Sequence, residues 1–234
     1  MKGIEEILDR IQGSLVERFP DNLSCLILYG SWIKGTARKD SDIDLVAIFD
    51  GLDKETQKSV DDIVRGLDQE RSITIVSSNL EDFRKEKLPL FTAVKGEGKV
   101  IYGDVDLTIN PEPPEIKYSE FFKRSREWEL QKIKIAEELL EKDLASGIAD
   151  LCFVASKHSI QAALAMKGEG YSSKMAILLP LAERYFGKEI AEPFRKLFEL
   201  YIKSEYGLGF LTEEEAKLTV EYARKIFQVC SFFG

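Results

Sequence analysis

Histidine, cysteine, asparagine and long apolar runs are all scarce in this 234-residue chain, and each scarcity closes off a class of function. The single histidine, His158, leaves no metal site built on two histidines and makes a Ser-His-Asp triad depend on one position. The three cysteines, Cys25, Cys152 and Cys230, are odd in number and widely spaced. They fit reduced thiols in a cytoplasmic protein better than a disulfide framework or a zinc site. No apolar stretch approaches the roughly 20 residues that span a bilayer, and Met1 to Glu6 lack the apolar segment of a secretory signal. The expectation is therefore a cytoplasmic chain with no membrane partner. Positive charge is also short: 33 Lys and Arg face 41 Asp and Glu, a net charge of −8. Bulk coating of nucleic-acid phosphates is not indicated, although a local basic patch stays open. Only three asparagines stand among many ions, a composition common in thermophile proteins.

What is present suffices for a folded protein. Hydrophobic residues make up 44% and charged residues 32%, which argues for a real core under a wet surface. The length allows one large domain or two small ones. Three of the seven prolines (Pro111, Pro113 and Pro114) fall within residues 104–118, which reads as a linker between residues 1–103 and 119–234.

The first part mixes helix and strand. Ile4, Ile7, Leu8, Ile11, Leu15 and Val16 form a helical stripe. Residues 23–29 (LSCLILY) and 42–49 (DIDLVAIF) are short apolar runs suited to buried strands. Asp53 is a plausible N-cap for a helix to about Leu67, and residues 72–76 predict a third strand. Asn79 caps a predicted helix over residues 80–87, and residues 99–102 predict a last strand. The second part is all helix, with apolar residues at three- and four-residue intervals over 119–144, 147–167, 174–187, 190–205 and 212–231. Thr212 and Glu215 read as a capping box.

Chemistry concentrates between Tyr29 and Leu45, YGSWIKGTARKDSDIDL. A strand ends in Gly30-Ser31, a turn follows, and a new strand opens on Asp42-Ile43-Asp44. Residues two apart on a strand share a face, so the two carboxylates stand side by side with Cα atoms roughly 6.5–7 Å apart. Two such charges on an apolar strand call for a neutraliser, and a hard divalent cation with oxygen ligands, Mg²⁺ above all, is the natural one. Gly30 lets backbone approach a ligand, Ser31 brings a hydroxyl, and a helix starting there would aim its positive end at phosphate. Lys34, Arg38 and Lys39 flank the turn; Lys34 reads equally as a triphosphate contact or a solvated loop charge. Each part alone is more often structural than functional, since Gly-Ser is a frequent turn and Asp-x-Asp a frequent strand rim. Their combination in strand–turn–strand order is what makes a site for a nucleoside triphosphate with Mg²⁺.

Gly30-Ser31, ten residues, then Asp42-x-Asp44 closely resembles the signature of the minimal nucleotidyltransferases of the DNA polymerase β superfamily. The likeness extends through Gly35-Thr36-Ala37, Ser41 to Leu45 and Glu97 to Tyr102. It implies an α/β (α+β) nucleotidyltransferase fold with a mixed sheet, in which Gly30, Ser31 and Lys34 bind the triphosphate. It further implies that Asp42 and Asp44 are the catalytic, metal-binding pair for Mg²⁺ or Mn²⁺. The implied reaction moves a nucleoside monophosphate from an NTP, possibly ATP, to an acceptor hydroxyl on a protein, an RNA end or a small molecule. Active members carry a third carboxylate on the next core strand; here that position falls on Thr74. Glu70 is a substitute only if that strand begins early, and otherwise a surface charge. The rival implication is thus a catalytically weak or inactive nucleotide-binding regulatory or interaction protein.

The helical half resembles the HEPN domain, chiefly through Asp150 to Lys167 and its helix lengths. Nuclease members use Arg, four to six residues, then His; residues 151–153 are Leu, Cys and Phe, so no such arginine precedes His158. That resemblance implies no ribonuclease site, with His158 a packed or helix-surface residue, and it leaves a homodimer through the helical half as a partner to test. Trp128, Phe121 and Phe122 read as core or dimer contacts rather than base-stacking platforms. Lys123, Arg124 and Arg126, interleaved with Glu120, Glu127 and Glu129, read as a mixed solvated face.

Overall fold

The computed structural model describes residues 4–38, 41–67, 71–170, 172–207 and 210–232. The chain divides into two compact units, Met1–Pro111 and Glu112–Gly234.

The first unit is built on a mixed four-stranded sheet in the order β3-β2-β1-β4. Strands β1 (Leu23–Tyr29) and β2 (Ile43–Phe49) are antiparallel. Strand β3 (Ile73–Asn79) runs parallel to β2, and β4 (Lys99–Gly103) antiparallel to β1. A parallel neighbour needs a crossover, and α2 (Lys54–Gly66) supplies it between β2 and β3. Asp53 caps that helix as expected, its carboxylate accepting from the Thr56 N–H at 2.7 Å.

Helices cover both faces. On one, α1 (Ile4–Arg18) and α2 bury Ile11, Leu15 and Val60 against Leu26, Ile43, Leu45 and Phe49. On the other, α3 (Leu80–Arg84) and α4 (Pro89–Glu97) bury Phe83, Phe91 and Val94 against Cys25, Ile27, Val46 and Ile48. Two covered faces explain why β1 and β2 read as unbroken apolar runs instead of alternating ones.

Several elements differ from expectation, β3 among them, which runs to Asn79 and not to residue 76. Strand β2 starts at Ile43, not Asp42, because its partners reach no further: the parallel β3 begins at Ile73, opposite Ile43, and the antiparallel β1 ends at Tyr29, opposite Asp44. The helix expected over 80–87 stops at Arg84, since Glu86 turns left-handed (φ 51°) and sends its side chain inside. A helix not anticipated, α4, follows with Pro89 in its first turn, where a missing N–H is harmless. The buried Glu86 carboxylate takes the Lys95 ammonium at 3.1 Å, the Thr92 hydroxyl at 2.6 Å and the Asn110 N–H at 2.5 Å. Lys95 also donates to the carbonyls of Arg84 and Thr108, both at 3.0 Å. This satisfied ion pair pins residues 108–110 to the first unit. The proline-rich stretch is therefore divided, its early part packing here through Val105 and Leu107 and its end forming the short α5 (Pro114–Lys117) of the second unit.

The second unit is helical: α6 (Ser119–Glu141), α7 (Ile148–Met166), α8 (Met175–Phe186), α9 (Lys188–Tyr206) and α10 (Glu213–Ser231). Helix α7 is buried nearly all round and so forms the centre of the bundle. The capping box at α10 is present: Thr212 Oγ1 accepts from the Glu215 N–H at 3.2 Å, and Glu215 accepts from the Thr212 N–H at 2.8 Å. No helix among the described residues is long and apolar enough to cross a membrane.

Candidate active site

The site forms where β1 ends and β2 begins. After Tyr29 the chain turns sharply through Gly30 (φ 79°) into a single 3-10 turn, Gly30–Trp32. The expected turn is present and no longer helix starts at Ser31: three residues generate no macrodipole, and what the turn offers is the Ser31 hydroxyl and local backbone groups. Bonds from the Lys34 N–H to the Gly30 carbonyl (3.2 Å) and from the Thr36 N–H to the Ser31 carbonyl (3.1 Å) tighten the loop. The Ser41 hydroxyl accepts from the Arg38 N–H at 2.7 Å.

Across the sheet, Tyr29, Asp44 and Thr74 stand in register on three adjacent strands. Paired residues share a face, so these three side chains line one row at the sheet end, on the α3–α4 side. Ile43, Leu45, Ala47 and Phe49 point the other way, into the core under α1 and α2. Asp44 is half-buried, whereas Asp42, just outside the ladder, is exposed. Burial pushes the Asp44 carboxyl above its ordinary pKa, and the neighbouring Asp42 charge adds to the shift. Burial, then Asp44, likewise pushes the Tyr29 phenol up to about 12. Gly30 is pressed against Asp44: a Cβ built on it would lie 2.7 Å from Asp44 Oδ2. Any side chain here would force the carboxylate to retreat, so glycine is what lets the turn lie against Asp44 in its observed position.

The expected residues Gly30, Ser31, Asp42 and Asp44 thus come from one strand–turn–strand unit, with Thr74 beside Asp44. Lys34 is half-exposed and pairs with Glu97, at the end of α4, at 3.0 Å. The contact of Glu97 with Lys34, and the roles of two other residues near the turn, carry no sign in the sequence. The Trp32 indole N–H donates to the Asp42 carbonyl at 2.9 Å, and the Arg71 guanidinium lies 5.0 Å from the centre of the Trp32 ring. None has a local sequence signal, because each partner lies ten or more positions away. Lys39 and Glu70 fall outside the described residues. Among the described residues, no group of three or more His, Cys, Asp or Glu side chains could hold a metal ion. Any cation at Asp42 and Asp44 must therefore complete its shell with ligand oxygens or water.

In the helical unit, His158 Nδ1 lies 3.2 Å from the buried Glu129 carboxylate, which also takes Lys132 Nζ at 2.7 Å. Phe122 is buried and Phe121 packs against the core. Trp128 departs from a core position: it is 54% exposed, with the Arg124 guanidinium 5.1 Å from its ring centre. The cysteines are free thiols and buried.

Comparison with known proteins agrees with both halves. Residues 11–106 match the family model described as polymerase beta nucleotidyltransferase, and residues 129–232 match the HEPN domain model. No curated protein matches the chain. Among solved structures, it is similar to the spectinomycin adenyltransferase from Enterococcus faecialis crystallised with ATP and spectinomycin. The similarity has a TM-score of 0.51 at 16% identity, covering 96% of this chain and 99% of the other. At that identity the likeness speaks to fold.

Proposed function

From a nucleotidyltransferase-type domain joined to a HEPN-type domain, we propose that this protein transfers a nucleoside monophosphate from an NTP to an acceptor hydroxyl, with Mg²⁺ or Mn²⁺ held at Asp42 and Asp44. The observation that carries the reading is the fit of Gly30 to Asp44. A turn that excludes even a methyl group brings a phosphate-sized ligand on its backbone next to a carboxylate. The donor set also suits the cation: two hard carboxylate oxygens, one with a pKa raised by burial and like charge, gain from an added positive charge. When bound, a divalent cation polarises the transferred phosphoryl group and neutralises the leaving pyrophosphate. Ser31 and the turn backbone hold the triphosphate, and Lys34 joins them by exchanging Glu97 for a phosphate oxygen. ATP is the first nucleotide to test and a small-molecule hydroxyl the first acceptor, since the similar solved structure contains ATP and spectinomycin. Protein and RNA hydroxyls follow.

A second reading, a nucleotide-binding regulatory protein with little or no turnover, is favoured by Thr74. Its neutral hydroxyl stands in register with Asp44, where resemblance calls for a third carboxylate, and it takes no proton from an acceptor at neutral pH. General-base help is typically worth about 10²–10⁴-fold in rate. Labelled NTPs screened with Mg²⁺ or Mn²⁺ against candidate acceptors separate the two readings. Transfer with pyrophosphate release supports the enzyme, and metal-dependent binding alone supports the regulator. Undiminished Mg²⁺–NTP affinity in the Asp42→Ala, Asp44→Ala double variant overturns both. We further place the protein in the cytoplasm, in line with its three buried free thiols. A homodimer through the helical unit has support in Trp128 and Ile135, half-exposed and two helical turns apart on α6. Light scattering on Trp128→Asp checks it.

A further inference from the structure

Asp42 presents a structural problem. It sits one residue outside β2, so no ladder bond fixes it, yet the proposed metal site needs its carboxylate held beside Asp44. The peptide that follows it is nevertheless gripped from both sides. Its carbonyl, on Asp42, accepts the Trp32 indole N–H at 2.9 Å. Its N–H, on Ile43, donates to the Ser72 carbonyl at 2.9 Å. Next to Ser72 in the chain, Arg71 lays its guanidinium over the Trp32 ring, 5.0 Å from the centre. The contacts close a ring: Trp32 to the Asp42–Ile43 peptide, to Ser72, to Arg71, and back to Trp32. Three segments far apart in sequence meet in it, namely the Gly-Ser turn, the start of β2 and the start of β3. Among the described residues, the buried Arg71 Nη1 has no hydrogen-bond partner, and the Trp32 ring packs against its guanidinium.

We propose that Trp32, backed by Arg71, is a positioning residue that clamps the Asp42 peptide and thereby aims the Asp42 carboxylate at the metal it shares with Asp44. A planar peptide fixed at both its carbonyl and its N–H cannot rotate, so the Asp42 Cα–C bond is held relative to β3 and the phosphate-binding turn. The clamp also couples the two halves of the site: Trp32 follows Ser31 directly, so a movement of the turn on binding triphosphate is passed to Asp42 by one hydrogen bond. The proposal rests on the reading of Asp42 as a metal ligand given above.

The test uses the full chain and Trp32→Phe, which keeps a smaller aromatic face for Arg71 and removes the indole N–H. Hydrogen exchange of the protein without nucleotide reads the clamp by itself. Faster exchange at the Ile43 amide and through residues 33–38, with residues 45–49 unchanged, is expected; unchanged exchange at Ile43 overturns the clamp. Isothermal titration with Mg²⁺ and whichever of ATP, GTP, CTP and UTP binds best reads its purpose. One neutral hydrogen bond is worth roughly a fivefold change, so the Mg²⁺ requirement should rise about fivefold in Trp32→Phe. In the Asp42→Asn background the same change should have no further effect. An equal loss in both backgrounds would mean that the ring serves only packing, and overturns the positioning role. No Mg²⁺-dependent binding by the unsubstituted protein overturns the site reading itself, and is told apart from failure of the clamp by the exchange result. Should Trp32→Phe not fold, Arg71→Leu loosens the same ring from its other side, with the same two readouts expected in the same direction.

Discussion

Substituting Gly30 by alanine separates the two things that this glycine does. At φ 79° an L-residue is strained by about 1–2 kcal/mol. The added Cβ would also lie 2.7 Å from Asp44 Oδ2, against about 3.4 Å for ordinary contact, so the carboxylate must retreat by about 0.7 Å. That oxygen ends a short rotatable side chain, and the retreat adds little to the folding cost. Metal ligands tolerate only about ±0.2 Å and a working site about 0.5 Å, so the same retreat is large for binding. Gly35→Ala is the matched control, with φ 67° and nothing within 4 Å of its built Cβ. Both variants should lose about 1–2 kcal/mol of first-unit stability. This is read by Trp32 fluorescence during urea unfolding in a Trp128→Phe background, which silences the other tryptophan. Gly30→Ala alone should lose Mg²⁺–NTP affinity, by about tenfold or more. Equal affinity losses in the two variants would refute the argument that Gly30 exists to admit Asp44.

Other outcomes follow from the same geometry. The Asp44 carboxyl is raised in the folded protein, so the folded state holds its proton longer than the unfolded state does. Without ligand, this group's share of stability falls as pH rises from the ordinary Asp range through the raised value, and is flat above it. Metal–nucleotide binding, which needs the ionised form, should instead strengthen over that window, and Asp42→Asn should move the titration midpoint, read by calorimetry, towards lower pH. Lys95→Met strands the buried Glu86 carboxylate and should destabilise the first unit by about 3–5 kcal/mol in urea titrations. Glu86→Gln keeps much of the hydrogen bonding and should cost less. Thr74→Asp adds a carboxylate in register with Asp44. It should lower the melting temperature without metal, regain it with Mg²⁺–NTP and raise any transfer rate; a lowered rate would show that Thr74 is not the vacant base position.

The local devices of this chain were legible in its sequence because their causes are local. The α1 stripe, the Asp53 and Asn79 caps and the Thr212–Glu215 capping box depend on residues within a turn or two of each other, and all four are present. Gly30-Ser31 and Asp42-x-Asp44 were legible as candidates because residue type and spacing along one strand–turn–strand unit mark them, although of the two aspartates β2 itself takes in only Asp44. Non-local pairing decided the rest. Where β2 starts depended on where β1 stops and β3 starts, and the end of α3 depended on a lysine eleven residues on and a loop beyond it, which together satisfy a buried glutamate. Glu97 reached Lys34, and Arg71 reached Trp32, only once the sheet had brought separate segments to one end. Sequence thus nominated the side chains proposed to carry the chemistry, since residue type and short spacing set that. Tertiary structure decided what holds them still, because a hydrogen bond such as that from Trp32 to the Asp42 carbonyl exists only after the chain has closed on itself.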